Sequence, residues 1–262
     1  YSPPFSNLFV YSDNIQDMGN SANDEEFFMH YKYMIEKLFK KTRPGRLSAV
    51  HCKDMLFSKG LDGFAGLKDF PGEIIKAHQE KGWVYHSRFT IFKDPVVEMQ
   101  RTKAHGLLNK TMLKDANKVR QGLPDYMLIF QKRHDEDIEN VIPVTHDNEN
   151  DIPISLWQKY ASPVWMDINQ SNTLNYRVAK DNKDERHICP LQLDVIERCV
   201  HLWTNKNDLV FSPFAGVGSE GFPTIKMNRQ FIGIELKESY FNHACKNLKS
   251  AVKESGQFDM FA

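Results

Sequence analysis

Apolar residues recur at helical spacing from Phe27 through Phe28, Tyr31, Met34, Ile35 and Leu38 to Phe39, with Asn23 or Asp24 in position to cap the turn. Basic side chains crowd the last turn of this helix, where they suit its dipole, and Pro44-Gly45 ends it. The run RLSAVHCKD then predicts a short buried strand ending near His51. A glycine-rich loop, SKGLDGFAGLKDF, leads to a helix from about Pro71 to Lys81, with Pro in its first turn and Gly82 past its end. WVYHSRFTIF and PDYMLIFQK read as strands, separated by about thirty residues rich in Lys and Arg. Residues 133–151 are acidic and Asn-rich and predict a surface excursion. Residues 152–180 carry Trp157, Tyr160, Trp165 and Tyr176 without a clear period, and no element is predicted there.

The pattern sharpens from Pro190 onward. LQLDVIERCVHLWT is an amphipathic helix, DLVFSPF a strand, AGVGSEG a glycine turn and FPTIKMN the start of a helix. QFIGIEL is a second strand and SYFNHACKNLKSAV a final helix. This β-turn-α-β-α order builds a parallel sheet with a nucleotide crevice at its strand ends.

Composition narrows the picture without redirecting it. A chain of 262 residues with 41% hydrophobic and 26% charged residues predicts one large α/β domain, or one domain plus a small insertion. Its apolar runs are too short to span a bilayer, and no charged-then-apolar leader is visible. Cys52, Cys189, Cys199 and Cys245 form no C-x-x-C pair, so reduced thiols are expected. His51-Cys52 and His187-x-Cys189 offer only two ligands each, and no metal site is expected. Net charge is zero, so any affinity for nucleic acid must be local. Two stretches are basic, Lys32 to Arg46 and Asp94 to Pro124. The second holds Arg101, Lys103, Lys110 and Lys114 as candidate phosphate contacts, although a solvated loop would look the same.

Candidate chemistry lies at the two ends. In FSPFAGVGSEG, Gly216, Gly218 and Gly221 allow close approach of backbone to a ligand at a helix start. Glu235 closes the following strand, where a carboxylate can accept hydrogen bonds from both hydroxyls of a ribose. The glycines also satisfy G-x-G-x-x-G, so a nicotinamide-dependent oxidoreductase is the rival reading. At the other end, Ser2-Pro3-Pro4-Phe5 is a rigid stretch with free carbonyls, flanked by a hydroxyl and a ring.

Together these motifs resemble the amino-methylating DNA methyltransferases, the cytosine-N4/adenine-N6 family, in their permuted β-class order. SPPF at 2–5 is similar to the family's catalytic motif, and SPFAGVGS at 212–219 resembles its cofactor loop, with Ser212 where Asp is usual. Glu235 matches the acid after the next strand, TRPGR at 42–46 the basic Pro-Gly turn, and HICP at 187–190 the remaining cofactor-side motif.

The resemblance implies a Rossmann-like, doubly wound, mostly parallel sheet with an antiparallel hairpin at one edge, the class I S-adenosylmethionine-dependent methyltransferase fold. Residues 1–131 would form the catalytic half, 181–262 the cofactor half, and 132–180 a variable segment that reads the target. The strand that leads into SPPF is expected upstream of Tyr1. S-adenosyl-L-methionine would contact His187, Pro190, Ser212, Pro213, Phe214, Gly216, Gly218, Ser219 and Glu235. Ser2, Pro3, Pro4 and Phe5 would hold a flipped base of double-stranded DNA, with cytosine-N4 slightly favoured by the leading Ser. The resemblance further implies a cytoplasmic enzyme, bacterial or phage-encoded, of a restriction-modification kind. A restriction or helicase partner and a catalytically silent DNA-binding subunit both remain open.

Overall fold

One strand shows how the sheet separates two cores. In β5 (Asp125–Lys132), Leu128 and Phe130 point to one face and Met127 and Ile129 to the other, all buried, as the two-residue period of a strand requires. The computed structural model describes residues 1–6, 14, 16–57, 63–102, 104–133, 141–147, 151–175 and 190–256, the Arg101 side chain excepted.

Helix α1 (Asp24–Lys41) begins where the side chain of Asn23 accepts the Glu26 amide at 2.9 Å. It packs Phe27, Tyr31 and Ile35 against Phe70, Ile74 and Ala77 of α2 (Phe70–Glu80). Both helices cover Val50 and Cys52 of β1 (Leu47–Lys53), Trp83 of β4 (Trp83–Ile91) and Leu128 and Phe130 of β5. On the opposite face, α6 (Leu193–Trp203) buries Val195, Ile196 and Val200 against Met127, Ile129, Ile91 and Trp165. Burying each such side chain contributes about 1.5–3 kcal/mol, so the two faces supply the main adhesion of the sheet.

The expected hairpin is present. β5 runs antiparallel to β1 on one side and to β4 on the other, and the β4 register shifts between Tyr85 and Ser87. Sheet order is β1-β5-β4-β6, with β6 (Val164–Trp165) parallel to β4. Two further parallel relations are present, the first of them in the predicted C-terminal unit. β7 (Leu209–Ser212) pairs in parallel with β8 (Gln230–Gly233). Tyr1 bonds β1 in the parallel pattern, its N–H to Ala49 O at 2.9 Å and its carbonyl to the His51 amide at 2.8 Å.

Several elements escaped the sequence reading. A small hairpin, β2 (Met55–Phe57) with β3 (Gly66–Lys68), occupies the glycine-rich loop, and its three-residue strands are too short to show a period. The basic stretch folds into helices α3 (Pro95–Thr102) and α4 (Asn109–Lys114). Residues 152–175 form α5 (Ile154–Ala161), β6 and a turn bound to α6 by Asp194, which accepts the Asn169 amide at 2.7 Å. The two closing helices, α7 (Gly221–Lys226) and α8 (Glu238–Glu254), were expected, and they back the β7–β8 pair. No described helix is long and apolar enough to cross a membrane.

His78 is a buried titratable group in the first core. It stacks on Phe130 with ring centroids 3.8 Å apart, and its Nδ1–H donates to Ile74 O at 2.9 Å. Burial pushes its pKa down to about 4, against the opposing pull of that hydrogen bond. Above pH 6.5 the imidazole is neutral in both folded and unfolded chains. As pH falls from 6.5 towards 4, the unfolded chain takes up a proton that the folded chain refuses, so stability declines. The expected loss is on the order of 3 kcal/mol. Denaturant midpoints measured across this window should fall in the wild type and flatten in His78→Gln; parallel curves would disprove it.

Candidate functional site

The amino-terminal stretch lies between the two strand groups. The Tyr1–β1 bridge sets Ser2 beside the end of β1, and the Tyr1 ring meets Phe214, just after β7, with centroids 6.0 Å apart. Two motifs more than two hundred residues apart in sequence are therefore neighbours. Pro3 is buried, Pro4 and Phe5 are half-buried, and the Phe5 ring meets Phe70 edge-on at 5.9 Å. Ser6 follows with φ +53°, a left-handed conformation uncommon outside glycine. Its hydroxyl donates to Asp24, which also pairs with Lys68, and this contact holds the turn.

Behind Ser2 stands a chain of polar groups that the sequence did not reveal. Ser2 Oγ is 3.1 Å from His51 Nδ1, and His51 Nε2 is 3.0 Å from Asp125 Oδ2. Lys93 Nζ reaches the same carboxylate oxygen at 2.8 Å. Burial by itself would raise the Asp125 carboxyl, but the hydrogen bonds from His51 and Lys93 and the Lys93 charge hold it well below the usual range. Asp125 is therefore a carboxylate, and the His51 nitrogen facing it carries the proton. In the neutral imidazole Nδ1 is then the acceptor, so the Ser2 hydroxyl donates to His51 and turns its lone pairs outward. A charged residue opening the apolar run DYMLIF was the one available signal; its link to His51 is a strand-pairing fact.

Asp54, one residue beyond β1, accepts a 3.3 Å hydrogen bond from the Tyr126 hydroxyl, and burial raises its carboxyl.

The glycine turn is tied to the end of β8. Glu235 Oε2 accepts the Gly216 amide at 2.8 Å and Oε1 the Lys237 amide at 2.9 Å. Burial raises the Glu235 carboxyl, partly offset by these two amides. Ser212 is buried, and its Oγ accepts the Phe214 amide at 3.4 Å. Pro213 and Phe214 are half-buried, and Ser219 is buried. Buried Glu220, not singled out from the sequence, also has its carboxyl raised by burial.

Gly216 and Gly218 have φ of +52° and +87°, but their surroundings differ. A Cβ at 216 would meet nothing within 4 Å, so this backbone borders open space. A Cβ at 218 would lie 3.3 Å from both Cα and Cβ of Ala244 in α8. Gly218→Leu should thus destabilise the fold by more than Gly216→Ala, which carries only the backbone strain of about 1–2 kcal/mol. Equal midpoints for the two variants in urea would contradict this.

Other expected residues are less gathered. Pro190 is half-buried ahead of α6, while His187 lies outside the described residues. Lys110 and Lys114 are exposed on α4, Arg101 ends α3 with its side chain undescribed, and Lys103 lies outside the described residues. Within the same insert, Lys118 pairs with Asp115 and Arg120 with Glu98, both at 3.0 Å, so part of its basic charge is internally balanced. Trp165 belongs to the core and Trp157 is exposed, while Tyr176 lies outside the described residues.

A family model described as DNA methylase, of the N6/N4 methyltransferases, matches residues 1–246. Type II methyltransferase M.BglII of Bacillus subtilis is 33% identical over 92 residues, which is 34% of this chain and 26% of the relative. M1.MboII of Moraxella bovis is 40% identical over 58 residues, 22% of each chain. The matches thus span about a quarter of the length of these curated relatives. Among solved structures, a Thermus thermophilus protein assigned as a DNA modification methylase, complexed with S-adenosyl-L-methionine, superposes with a TM-score of 0.66 at 17% identity. The match covers 96% of this chain and 84% of that one. PvuII DNA methyltransferase, cytosine-N4-specific, gives a TM-score of 0.62 at 17% identity, over 98% and 83% of the two chains. The fold is that of the class I S-adenosylmethionine-dependent methyltransferases, a Rossmann-like α/β sheet with an antiparallel hairpin.

Proposed function

The chain belongs to the N6/N4 DNA methylase family, and from that premise we propose that it methylates the exocyclic amine of a base in double-stranded DNA, with cytosine-N4 favoured over adenine-N6. The observation that carries this reading is the meeting of the SPPF stretch with the glycine loop through Tyr1 and Phe214. S-adenosyl-L-methionine, the methyl donor, supplies a methyl group on a positively charged sulfur. The open backbone at Gly216 and the Glu235 carboxylate suit its ribose and the close approach of its chain, with Ser212 to Ser219 forming the loop around it.

The chain's own work is to localise the amine lone pair and remove a proton. An exocyclic amine is conjugated with its ring, and acceptors that take its N–H bonds favour the attacking form. Ser2 Oγ, its proton directed to His51, is one such acceptor, and the carbonyl of Pro3 or Pro4 is suited to be the other. When the nitrogen gains the methyl group it must lose a proton. Ser2 can take that proton while passing its own to His51 Nδ1, and Asp125 steadies the resulting imidazolium. Phe5, half-buried against Phe70, is the ring suited to stack on a flipped base and recover part of the few kcal/mol that flipping costs. Lys110 and Lys114 suit phosphate contacts, and residues 132–180 are the candidate target reader.

Phe5→Ala should lose most methyl transfer to genomic DNA while keeping cofactor affinity, and Gly216→Leu, which fills the open side of the turn, should lose cofactor binding itself. Unchanged turnover in both would overturn the proposal. A thermal shift with NAD rather than S-adenosylmethionine would favour the oxidoreductase reading, and mass spectrometry of the nucleosides identifies the modified base.

His51→Ala should slow methyl transfer by about a hundredfold, the range for losing a proton acceptor, with unchanged cofactor dissociation constant. Equal rates would remove His51 from the mechanism.

A further inference from the structure

A second group of titratable side chains shares no residue with the Ser2 chain or the glycine loop. His146 comes from the acidic segment after β5, Asp151 from the turn before α5, and His201 from the last turns of α6. One ligand atom from each lies within 4.8 Å of the other two. His146 Nδ1 is 2.7 Å from Asp151 Oδ2, and His201 Nε2 is 2.5 Å from Asp151 Oδ1. All three side chains are partly exposed, at 20%, 39% and 17%.

Hydrogen bonding at His146 decides what the cluster lacks. Its Nε2 is 3.0 Å from the Leu202 carbonyl, which can only accept, so Nε2 carries the proton. In the neutral ring Nδ1 then holds a lone pair, aimed at a carboxylate oxygen. A second ring proton or a metal ion can bridge that lone pair and the carboxylate oxygen, which lie 2.7 Å apart. Arg229, whose charge acts on Asp151, does not fill that place, because its guanidinium donates to Thr204 and to the Met227 carbonyl.

We propose that His146, Asp151 and His201 bind one divalent transition-metal ion of the zinc type, with water as the fourth ligand. Two imidazole nitrogens and a carboxylate are a donor set such ions favour, and three protein ligands leave one tetrahedral position open. The Leu202 carbonyl acts as the outer partner that fixes ring orientation and tautomer in metal-bound histidines. The backbone is already arranged around the cluster. Asp147 O accepts the Asp151 and Ile152 amides at 3.0 and 2.9 Å, which holds the two ends of the turn together. Asn205 accepts the Thr145 amide at 3.1 Å and donates to Pro143 O at 2.8 Å, which fastens the segment to the end of α6. Around an ion with bonds of about 2.0–2.1 Å, neighbouring ligand atoms sit about 3.3 Å apart. The His146–Asp151 and His201–Asp151 contacts, at 2.7 and 2.5 Å, would open by roughly 0.6–0.8 Å, and the two imidazole nitrogens, within 4.8 Å of each other, would settle to the same spacing. The ion would then clip the acidic segment onto α6.

The test uses the full chain after chelator treatment, titrated with Zn2+ and separately with Co2+. One ion should bind per chain, Co2+ should give the visible absorption of a four-coordinate site, and Zn2+ should raise Tm by several degrees. His146→Ala and Asp151→Asn should each weaken binding at least tenfold, whereas His86→Ala, which removes an exposed imidazole elsewhere, should not. Asp151→Asn preserves size and tests the charge without opening a cavity. No stoichiometric binding at micromolar zinc overturns the proposal and leaves a proton as the bridging cation. Equal binding in wild type and both ligand variants overturns it as well, by placing the ion elsewhere.

Discussion

Two backbone hydrogen bonds, from Tyr1 to Ala49 and from His51 to Tyr1, hold the candidate site together. They align the amino-terminal stretch in parallel with β1, and everything catalytic in this reading follows from that register. Ser2 comes to His51 only because Tyr1 is paired opposite Val50 in the sheet. The same residue sets its ring against Phe214 and so joins the glycine loop to the amino-terminal SPPF stretch. Its hydroxyl lies 3.2 Å from that of Tyr31 inside the first core, and burial raises both phenols. A slip of one residue would turn Ser2 to the other face of the sheet and separate it from His51.

Helix α6 plays the corresponding part on the opposite face. Arg198 is buried there, stacked over Tyr160 and Trp165 at 4.7 and 4.8 Å, and bonded to Asp167 at 2.7 Å. Burial would raise Asp167, but its bonds to Arg198 and Lys159 bring it down to about 2. A buried ion pair of this kind adds little net stability, since desolvation opposes attraction, yet removing one partner is costly. Its effect is geometric. It fixes residues 160–167 on α6, while Asp194 fixes 169–172 and the His146–Asp151–His201 cluster fixes the acidic segment. The region expected to vary most is therefore fastened at several points to the helix that precedes the cofactor strand.

The sequence was legible where a single element has a strong period. α1, α2, β1, β4, β5, α6 and the β7–β8 unit could be named from apolar spacing, caps and glycine turns. The β2–β3 hairpin and β6 could not, because two or three residues carry no period and pair only through neighbours supplied by the fold. α3 and α4 were hidden in a basic stretch whose charges drew attention to nucleic acid instead. Trp165 and Trp157, alike as letters, divide into a core residue and an exposed one.

By itself the sequence determined the backbone chemistry of the site: a Ser-Pro-Pro-Phe stretch, a glycine turn at a helix start, and an acid at the end of the next strand. Those are local properties, since φ limits, missing donors and free helix N–H groups depend only on nearby residues. Tertiary structure decided which groups act together. His51, Asp125 and Lys93 come from separate strands and loops, and strand pairing sets His51 beside Asp125 and Ser2 while the loop after β4 adds Lys93. A proton's location on an imidazole is set by what faces each nitrogen, and no run of letters encodes that.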